Sequence, residues 1–502
     1  MGFMNLFKSF LGSDWGVHPA DHKRPAADQA VRRLPLPPRL HLMLSQHVGA
    51  PSRPVVLVGQ KVKKGELIAA AQGNISAPLH APTSGVISAV GEITAPHASG
   101  LPAMAISLDA DGDDCWLDGE PPGDPYGLAP ADIASLVAAA GVVGLGGATF
   151  PSSVKLNLGR RSSIDTLIIN GSECEPYLSC DDRLMRDRAA EIVSGIRLML
   201  VATGAREAKV GIEDNKPEAI ASMREAAARV GEVSVVPVPA RYPMGSDRQL
   251  IVELSGREVP SDARAADVGV IVHNVGTAWA VHNAVCLGRP LVSRLMTLNG
   301  KAAASPGNYE VPIGTLVSDL IALTGGLNGE VARMVMGGPM MGSILPHARV
   351  PVIKGTSGIL LLDAREAAGY EPEACIRCGS CVKACPMGLL PLEMSARIRN
   401  DDLDGAVEIG LVDCIACGCC AYVCPSHIPL VQYFYHAKGD LSARQRTQLR
   451  TESTKKLAQQ RQERLEREAR EKAEAAARRK AERAAAAQAA AAVDPVKQGE
   501  TA

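Results

Sequence analysis

Aromatic residues and long apolar runs are both scarce in this sequence. Phe, Trp and Tyr make up only 3% of the 502 residues, and apolar runs are short. A helix that crosses a bilayer needs roughly eighteen or more apolar residues in succession, so we expect no membrane span. The first residues, MGFMNLFKSFLGSDWG, lack the basic region and apolar run of a signal peptide. They also lack the Ser or Thr that a myristoylation motif has at its sixth position.

An excess of one charge sign is missing as well. The chain carries 53 basic and 54 acidic side chains, for a formal net charge of −1. A dedicated nucleic-acid binder normally has a strong basic excess, so we expect no nucleic-acid partner. The length of 502 residues exceeds one ordinary core and predicts roughly two to four domains.

Cysteine, in contrast, is abundant and clustered. Nine of the 13 cysteines lie between Cys375 and Cys424, and the other four are scattered. An extracellular disulfide protein would spread its cysteines more evenly along the chain. The clustering favours metal ligation in a reducing compartment.

Two segments in this region have the spacing C-x2-C-x2-C-x3-C-P. They read CIRCGSCVKACP from Cys375 and CIACGCCAYVCP from Cys414. This spacing is typical of bacterial ferredoxins with two [4Fe-4S] clusters, in which three cysteines of a tight loop hold one cluster and the fourth reaches the neighbouring one. Zinc ribbons also use C-x2-C pairs, but two quartets that each end in Cys-Pro favour iron–sulfur clusters.

Transferred residue by residue, the ferredoxin pattern crosses between the two segments. The first quartet, for cluster 1, is Cys375, Cys378, Cys381 and Cys424; the second quartet, for cluster 2, is Cys385, Cys414, Cys417 and Cys420. Cys419 is spare, because only Cys420 keeps the three-residue step from Cys417. We expect Cys419 to be a small packed side chain.

Composition changes along the chain predict the domain order. Residues 1–35 are a mixed N-terminal segment. Residues 36–108 read as short strands in two similar halves, which resemble a biotinyl/lipoyl barrel-sandwich hybrid. Carriers of that type present a Lys at the hairpin tip, but the corresponding AAQGNISAP contains none, so we expect a structural β-sandwich.

Residues 127–285 alternate strand-like and helix-like text, which predicts an α/β domain. The predicted strands are IDTLIING, AKVGIED and EVSVVPVPA, and the predicted helices, each ending at a Gly, are EIVSGIRLMLVATG and PEAIASMREAAARVG. Residues 286–345 indicate a small module of short strands, and residues 365–435 carry the cysteines.

Residues 442–502 are dominated by Ala, Glu, Arg, Lys and Gln and predict a charged helical or disordered tail. A spacer is the simpler role for this tail. Docking to an acidic partner or an anionic membrane is the alternative.

A glycine-rich loop, GVVGLGGATFPSSVKL, runs from Gly141 to Leu156 after the helix-like ADIASLVAAA. It does not follow a strand and has Thr149 where a dinucleotide fingerprint has its third Gly, so it matches that fingerprint poorly. A turn between two helices would also explain the glycines. Glycines without Cβ, however, let backbone N–H groups approach a flavin or a phosphate, with Lys155 as counter-charge.

Together with three downstream motifs, the loop resembles the flavin- and NADH-binding subunit of respiratory complex I. The motifs are NGSECEP from Asn170, YPMGSD from Tyr242 and HNV from His273. Two positions depart from that family: its loop Arg is Leu145 here, and its acidic pair is Ser246-Asp247, so a shorter carboxylate must serve. The cofactor-binding residues that the resemblance implies are Gly144, Gly146, Gly147, Phe150, Lys155, Asn170, Glu173, Glu175, Tyr242, Gly245, Asp247 and Asn274.

The whole domain order, over about residues 10–435 plus the character of the tail, resembles the C subunit of the bacterial Rnf/Rsx electron-transport complex. This resemblance implies a multidomain α/β fold. Its parts would be a β barrel-sandwich hybrid, an α/β flavin/NADH domain, a soluble-ligand-binding β-grasp module, a ferredoxin-like two-cluster α segment and the tail.

The resemblance also implies a peripheral subunit on the cytoplasmic side of a bacterial inner membrane. It would take a hydride from NADH onto non-covalent FMN and pass single electrons through two [4Fe-4S] clusters, with no catalytic side chain beyond the cofactors. Other subunits of the complex would couple this flow to ion movement and to ferredoxin. Two alternatives stay open: a cluster-only relay or docking subunit without flavin, and a free-standing soluble NADH:acceptor reductase.

Overall fold

The computed structural model describes residues 15–119, 123–160 and 162–492. These residues form two compact units. The larger runs up to Ala396 and includes Asp413–Val431, and the smaller comprises Arg397–Val412 and the chain from Gln432 onward. The glycine-rich loop and both cysteine quartets lie in the larger unit. None of the described helices combines the length and the apolar content that crossing a membrane requires.

The first part of the larger unit is a β-sandwich. Its strands, preceded by the short β1 (Arg32–Arg33), are β2 (Arg39–Met43), β3 (Arg53–Pro54), β4 (Lys61–Val62), β5 (Leu67–Ala70), β6 (Leu79–His80), β7 (Gly85–Thr94) and β8 (Pro102–Ala110). One sheet has the order β2-β8-β7-β4 and the other β3-β5-β6. Alternate side chains point inward, so that Leu40, Ile68 and Ile106 are fully buried. The predicted β-sandwich is confirmed.

An α/β domain follows. Its elements are α1 (Pro130–Ala139), α2 (Ser152–Leu156), β9 (Thr166–Gly171), α3 (Cys180–Asp187), α4 (Ala189–Thr203), β10 (Glu207–Glu213), α5 (Pro217–Ala227), β11 (Val233–Val238), α6 (Asp247–Ser255), β12 (Val270–Asn274) and α7 (Val275–Cys286). The three predicted strands are present as β9, β10 and β11. Helix α4 ends at the left-handed Gly204, as predicted. Helix α5 is present as predicted, but its predicted end at Gly231 was wrong, because a turn from Ala227 to Val230 ends the helix earlier.

The four strands of this domain are parallel and have the order β11-β10-β9-β12. The chain leaves β9 toward β10 and β11 and then returns to the other side of β9 as β12. In open parallel sheets, ligands bind outside the carboxyl ends of the strands at such a reversal of strand order. Asn170 at the end of β9 and Asn274 at the end of β12 are partners in the strand register at this edge.

A mixed sheet follows. Its elements are β13 (Ser293–Asn299), β14 (Gly307–Pro312), α8 (Val317–Leu323), β15 (Arg333–Met336), β16 (Ser343–Ile344) and β17 (Gly358–Leu362). The six strands have the order β1-β14-β13-β17-β15-β16. The sheet therefore extends beyond the predicted module at 286–345, because the fully buried β17 pairs with β13 and β15 in its centre and β1 adds an edge.

The two cysteine segments are built from short helices separated by tight turns. The helices of this part of the chain are α9 (Ser380–Lys383), α10 (Pro391–Arg399), α11 (Leu403–Glu408) and α12 (Cys419–Tyr422). Left-handed glycines precede α9 and α12, with φ of 77° at Gly379 and 87° at Gly418. Arg377 and Ala416, two residues earlier, are also left-handed. The two segments therefore share one backbone turn.

The last element, α13 (Leu430–Ala492), is a helix of 63 residues. At about 1.5 Å per residue it is about 95 Å long. Ion pairs four residues apart, such as Arg470–Glu474 and Arg478–Glu482, line its exposed surface. Most of the predicted tail is thus helical, whereas residues 493–502, like 1–14 of the N-terminal segment, lie outside the described residues. The remaining short 3-10 turns are Ala26–Asp28, Asn157–Arg160, Ala265–Val268 and Leu411–Asp413.

Candidate cofactor sites

The glycine-rich loop connects α1 to α2 beside the carboxyl end of β12. The Gly144 N–H donates to the Phe150 carbonyl over 2.9 Å, which closes the loop at its base. Gly146 and Gly147 are exposed between these residues. Gly147 has a φ of 105°, and a Cβ there would meet no atom within 4 Å. The outer side of the loop is therefore open for a ligand to approach the backbone, as the flavin prediction requires.

Leu145 anchors the loop from within. Its N–H donates to Thr277 Oγ1 over 2.9 Å, and its carbonyl accepts from Arg294 Nη2 over 2.6 Å. The Leu145 side chain is 2% exposed and belongs to the core of the α/β domain. The position at which the complex I family has an Arg thus points into the core here.

Asn170 and Asn274 form the edge of the sheet below the loop. Asn170 Nδ2 donates to the Gly245 carbonyl over 2.8 Å, which joins the NGSECEP motif to the YPMGSD motif. Asn274 caps α7 by accepting from the Gly276 N–H, and its amide donates to Asp181 over 2.6 Å. A Cβ on Gly146 would lie 3.3 Å from Asn274 Cβ, so the loop and this edge are in close contact.

Glu173 follows β9 and is buried, and its carboxylate lies at the start of α3. Its carboxylate accepts from the N–H groups of Asp181 and Asp182 over 3.0 and 3.2 Å, and the Cys180 thiol is 3.4 Å away. Burial, and then the charge of Glu173, raise the pKa of Asp181 to about 7. Glu173 therefore stabilises a helix terminus, and its carboxylate lies close to that of Asp181, which accepts from Asn274.

Lys155 and Asp247 flank the same region from the other side. Lys155 Nζ donates to the Val272 carbonyl over 3.1 Å. Burial lowers the pKa of Lys155, and the charge of the exposed Asp247 opposes that shift. Burial, and then Lys155, lower the pKa of His273 to about 3, so this motif residue is a neutral side chain of the interior.

Glu175 and Tyr242 face the cysteine segments instead of the glycine-rich loop. Glu175 accepts from the N–H groups of Met340 and Met341 over 3.1 and 2.9 Å. Burial raises its pKa to about 7, against these two hydrogen bonds. The Tyr242 hydroxyl donates to the Cys417 carbonyl over 2.7 Å. Tyr242 therefore connects the α/β domain to the second quartet, and Glu175 connects it to the segment after β15.

The structure gathers the first quartet around one cavity. Its lining includes all four predicted thiols, Cys375, Cys378, Cys381 and Cys424, although Cys424 comes from the other segment. The rest of the lining is largely apolar, with Leu392, Ile428 and Leu430 among it. Converging thiols with apolar neighbours fit the predicted [4Fe-4S] cluster, which needs four thiolates.

The second quartet converges in a more buried place. Burial raises the pKa of Cys385 to about 11, with further increments from charge on Cys417 and Cys414. Burial, and then charge on Cys417, Cys414 and Cys385, raise the pKa of Cys420 as well. This mutual influence indicates that the four thiols lie in one neighbourhood, which fits one cluster.

Backbone N–H groups donate to the sulfur of the first cysteine in each segment. The Arg377 N–H donates to Cys375 Sγ and the Ala416 N–H to Cys414 Sγ, both over 3.4 Å. Hydrogen bonds to sulfur are one of the means by which proteins tune cluster potentials. The left-handed turns at Arg377 and Ala416 are what aim these N–H groups.

Cys419, predicted to be spare, is fully buried. It packs with Val17, Tyr242 and Ala384, and its thiol lies 3.9 Å from the Tyr242 carbonyl. Cys419 thus lies between the second quartet and the α/β domain.

Sequence reasoning missed Thr277 and Arg294, which hold the glycine-rich loop. Thr277 has no distinguishing signal in its helix. Arg294 has one, because it is a single charged residue within the apolar strand LVSRLMTL and 3% exposed. Charged side chains are rarely buried without a role in an ion pair or a site.

Four family models match the chain. They are described as the RnfC barrel sandwich hybrid domain over residues 11–112, the Nuo51 FMN-binding domain over 137–283, the SLBB domain over 296–343 and the 4Fe-4S dicluster domain over 374–428.

Similar proteins cover most of the chain and are all named as the C subunit of an ion-translocating oxidoreductase complex. The protein from Rhodobacter capsulatus is 51% identical over 86% of this chain and 83% of its own length. That from Pseudomonas aeruginosa is 46% identical over 88% of this chain and 57% of its own. That from Haemophilus influenzae is 42% identical over 85% and 64%.

Two solved structures of NAD+-reducing [NiFe]-hydrogenase, air-oxidised and H2-reduced, are also similar. They are 22% and 21% identical, with TM-scores of 0.43 and 0.45. The alignments cover 55% and 64% of this chain, and 54% and 62% of the hydrogenase chains. These scores are too low to establish a shared fold.

Proposed function

The chain belongs to the family of C subunits of ion-translocating oxidoreductase complexes, and on this premise we propose that it is the NADH-oxidising electron-transfer subunit of such a complex. The observation that carries the proposal is the presence of an FMN-binding domain and a 4Fe-4S dicluster domain on one chain. A bound flavin accepts a hydride and releases single electrons, which the clusters, unable to take a hydride themselves, carry onward.

We propose that the flavin lies at the carboxyl edge of the parallel sheet, where the strand order reverses. The open backbone of Gly146 and Gly147 would contact it, with Gly144 and Phe150 closing the loop. Asn170 and Asn274 would offer polar groups from the sheet edge. Lys155 and Glu173 would support this edge through the buried contacts they make, and the exposed Asp247 would act through its charge beside Lys155.

The segment from Tyr242 to Gly245 supports an order for the two clusters. Gly245 accepts from Asn170 at the flavin edge, and Tyr242 donates to Cys417 in the second quartet. Four residues thus link the two sites. We propose that cluster 2, on the second quartet, is on the flavin side. Cluster 1, on the first quartet with the exposed Cys375 and Cys378, would pass electrons to the next protein.

For partners and location, we propose the remaining subunits of an Rnf/Rsx complex and, through them, ferredoxin. The name that the relatives share supports assembly into a complex that moves ions. A peripheral position on the cytoplasmic side of the inner membrane is part of this proposal, because NADH and ferredoxin would have to reach the chain there.

The test compares two glycine variants after anaerobic reconstitution with iron, sulfide and FMN. Gly147→Val adds a branched side chain in the proposed flavin loop, and Gly73→Val is the matched control. Both glycines have positive φ, and a Cβ at either would meet no atom within 4 Å. Only Gly147→Val should lose FMN and NADH oxidation, and both variants should keep full iron content.

Three outcomes are decisive. Equal FMN occupancy in both variants would contradict the assignment of the loop. A wild-type protein with both clusters but no affinity for FMN would instead identify a cluster-only relay. Full NADH-to-dye activity from a protein that never associates with membrane subunits would favour a free-standing reductase.

A further inference from the structure

Arg294 is a buried cation with few direct polar contacts to the described residues. Its side chain, on β13, is 3% exposed, and within this part of the chain its guanidinium makes one hydrogen bond, the 2.6 Å contact from Nη2 to the Leu145 carbonyl. Nε has no partner there, and Arg294 forms no ion pair with any described side chain. A guanidinium has five N–H donors, and burying its charge unpaired is costly. A cost of this kind indicates a role in a site.

The surroundings of Arg294 are those of the proposed flavin edge. A Cβ on Gly276, in the first turn of α7, would lie 3.5 Å from Arg294 Nη1. The pKa of Asp181, which burial and Glu173 raise, is lowered in part by the Arg294 charge. Arg294 therefore places a positive charge between the carboxyl pair and the inner side of the glycine-rich loop.

The hydrogen bond to Leu145 sets the direction of the next N–H group. The Leu145 carbonyl and the Gly146 N–H belong to one trans peptide, in which the two groups point in opposite directions. Because Arg294 holds the carbonyl inward, the Gly146 N–H points outward, and Gly146 is exposed there. Thr277 fixes the preceding peptide through the Leu145 N–H.

We propose that Arg294 is a positioning residue: it locks the Leu145–Gly146 peptide so that the Gly146 N–H faces a hydrogen-bond acceptor of FMN, either the phosphate or a ring carbonyl. From beneath the loop it also supplies the positive charge that Leu145 lacks. This inference rests on the proposed function, since it names how that flavin site is organised.

The experiment measures FMN affinity by anaerobic titration of the full chain with both clusters in place. Arg294→Met removes the hydrogen bond and the charge, and hydrogen bonds to charged groups are worth enough that affinity should fall roughly 10- to 100-fold. Arg294→Lys keeps the charge and one donor and should restore part of the affinity. Arg257→Met is the control, because Arg257 pairs with Asp165 at the amino end of β9. It should bind FMN like the wild type.

Thr277→Val tests the same peptide arrangement without touching the buried charge. It removes the neutral hydrogen bond to the Leu145 N–H, so affinity should fall roughly 2- to 10-fold. If Arg294→Met does not fold, Thr277→Val and Arg294→Lys still decide the question. Comparing FMN with riboflavin identifies the acceptor: a loss for FMN alone points to the phosphate, and a loss for both points to the ring.

Unchanged FMN affinity in folded Arg294→Met, or in Thr277→Val when the former is unfolded, overturns the inference. So does a loss of iron in the Arg294 variants with FMN affinity preserved, because that pattern belongs to a structural role. A wild-type protein that binds no FMN would refute the proposed function itself, and the two failures are therefore distinguishable.

Discussion

The two cysteine segments have the same spacing and the same left-handed turns, but their environments differ. In the first segment, Ile376 is 69% exposed and Cys375 and Cys378 are exposed. In the second segment, the corresponding Ile415 is partly buried and packs in the cluster of Val17, Tyr242 and Cys419. The same local pattern thus forms an exposed outer loop in the first segment and a buried inner loop in the second segment.

The substitutions between the segments follow this difference in burial. The exposed Arg377 corresponds to Ala416, and Ser380 corresponds to Cys419, which is fully buried. A charged and a hydroxyl side chain suit solvent, whereas Ala and Cys are small and tolerate burial. Cys419 is therefore explained as the fully buried counterpart of a half-buried serine. Spacing sets the turn, and tertiary contacts set what fills the remaining positions.

The largest expected effect separates Cys420 from Cys419. Cys420→Ser should remove the cluster of the second quartet and about half of the iron, because a thiolate is replaced by a poor ligand. Cys419→Ser should retain the full iron content. Iron per protein and the spin-resonance spectrum of the reduced protein measure both. Loss of iron in Cys419→Ser alone would show that the ferredoxin register is wrong.

Crossed ligation is the second test of the comparison. Cys424 lies in the second segment but lines the cavity of the first quartet. Cys424→Ser should therefore remove the spin-resonance signal of cluster 1, and Cys385→Ser should remove that of cluster 2. If each variant instead removes the cluster of its own segment, the quartets are not crossed.

A smaller effect is expected from Tyr242→Phe. It leaves the Cys417 carbonyl without its donor, and an unpaired buried acceptor costs about 1–3 kcal/mol of the free energy of unfolding. Tyr370→Phe is the control, because Tyr370 is 72% exposed and its ring stacks on His427, which follows the second segment.

Urea unfolding of the cluster-loaded proteins measures this difference. Only Tyr242→Phe should be less stable than the wild type. In this variant the reduction potential of cluster 2 alone should shift. Equal losses of unfolding free energy in the two variants would mean that the Tyr242 hydroxyl does not stabilise the inner loop.

The smallest effect should be the same in both loops. Arg377 and Ala416 have φ of 56° and 53°. A non-glycine residue in this region costs about 1–2 kcal/mol, and glycine gives back about 0.5–1 kcal/mol through its freer unfolded chain. Arg377→Gly and Ala416→Gly should each stabilise the protein by up to about 1 kcal/mol. If the two substitutions shift the unfolding midpoint in opposite directions, the two turns are not equivalent.

Local patterns allowed much of this architecture to be predicted. The cysteine spacing predicted a tight loop in each segment, and the alternation of strand-like and helix-like text predicted an α/β domain. The contacts that distinguish the sites join distant residues: Arg294 reaches Leu145 across 149 positions and Tyr242 reaches Cys417 across 175. No spacing rule relates such pairs. The last strand of the mixed sheet in chain order, β17, was missed for the same reason, because its partner strands β13 and β15 lie far from it in the sequence.

The N-terminal segment has a consequence for biosynthesis. The Gly16 N–H donates to the Ala384 carbonyl, and Val17 exchanges two hydrogen bonds of 2.9 Å with Tyr242. Gly16 leaves the ribosome roughly 370 residues before Ala384, which at ordinary translation rates is roughly 20–70 seconds. Val17 can therefore pair with Tyr242 before Gly16 can pair with Ala384. The second cysteine segment, which packs against Val17, is made later still, so this packing belongs to the late steps of folding.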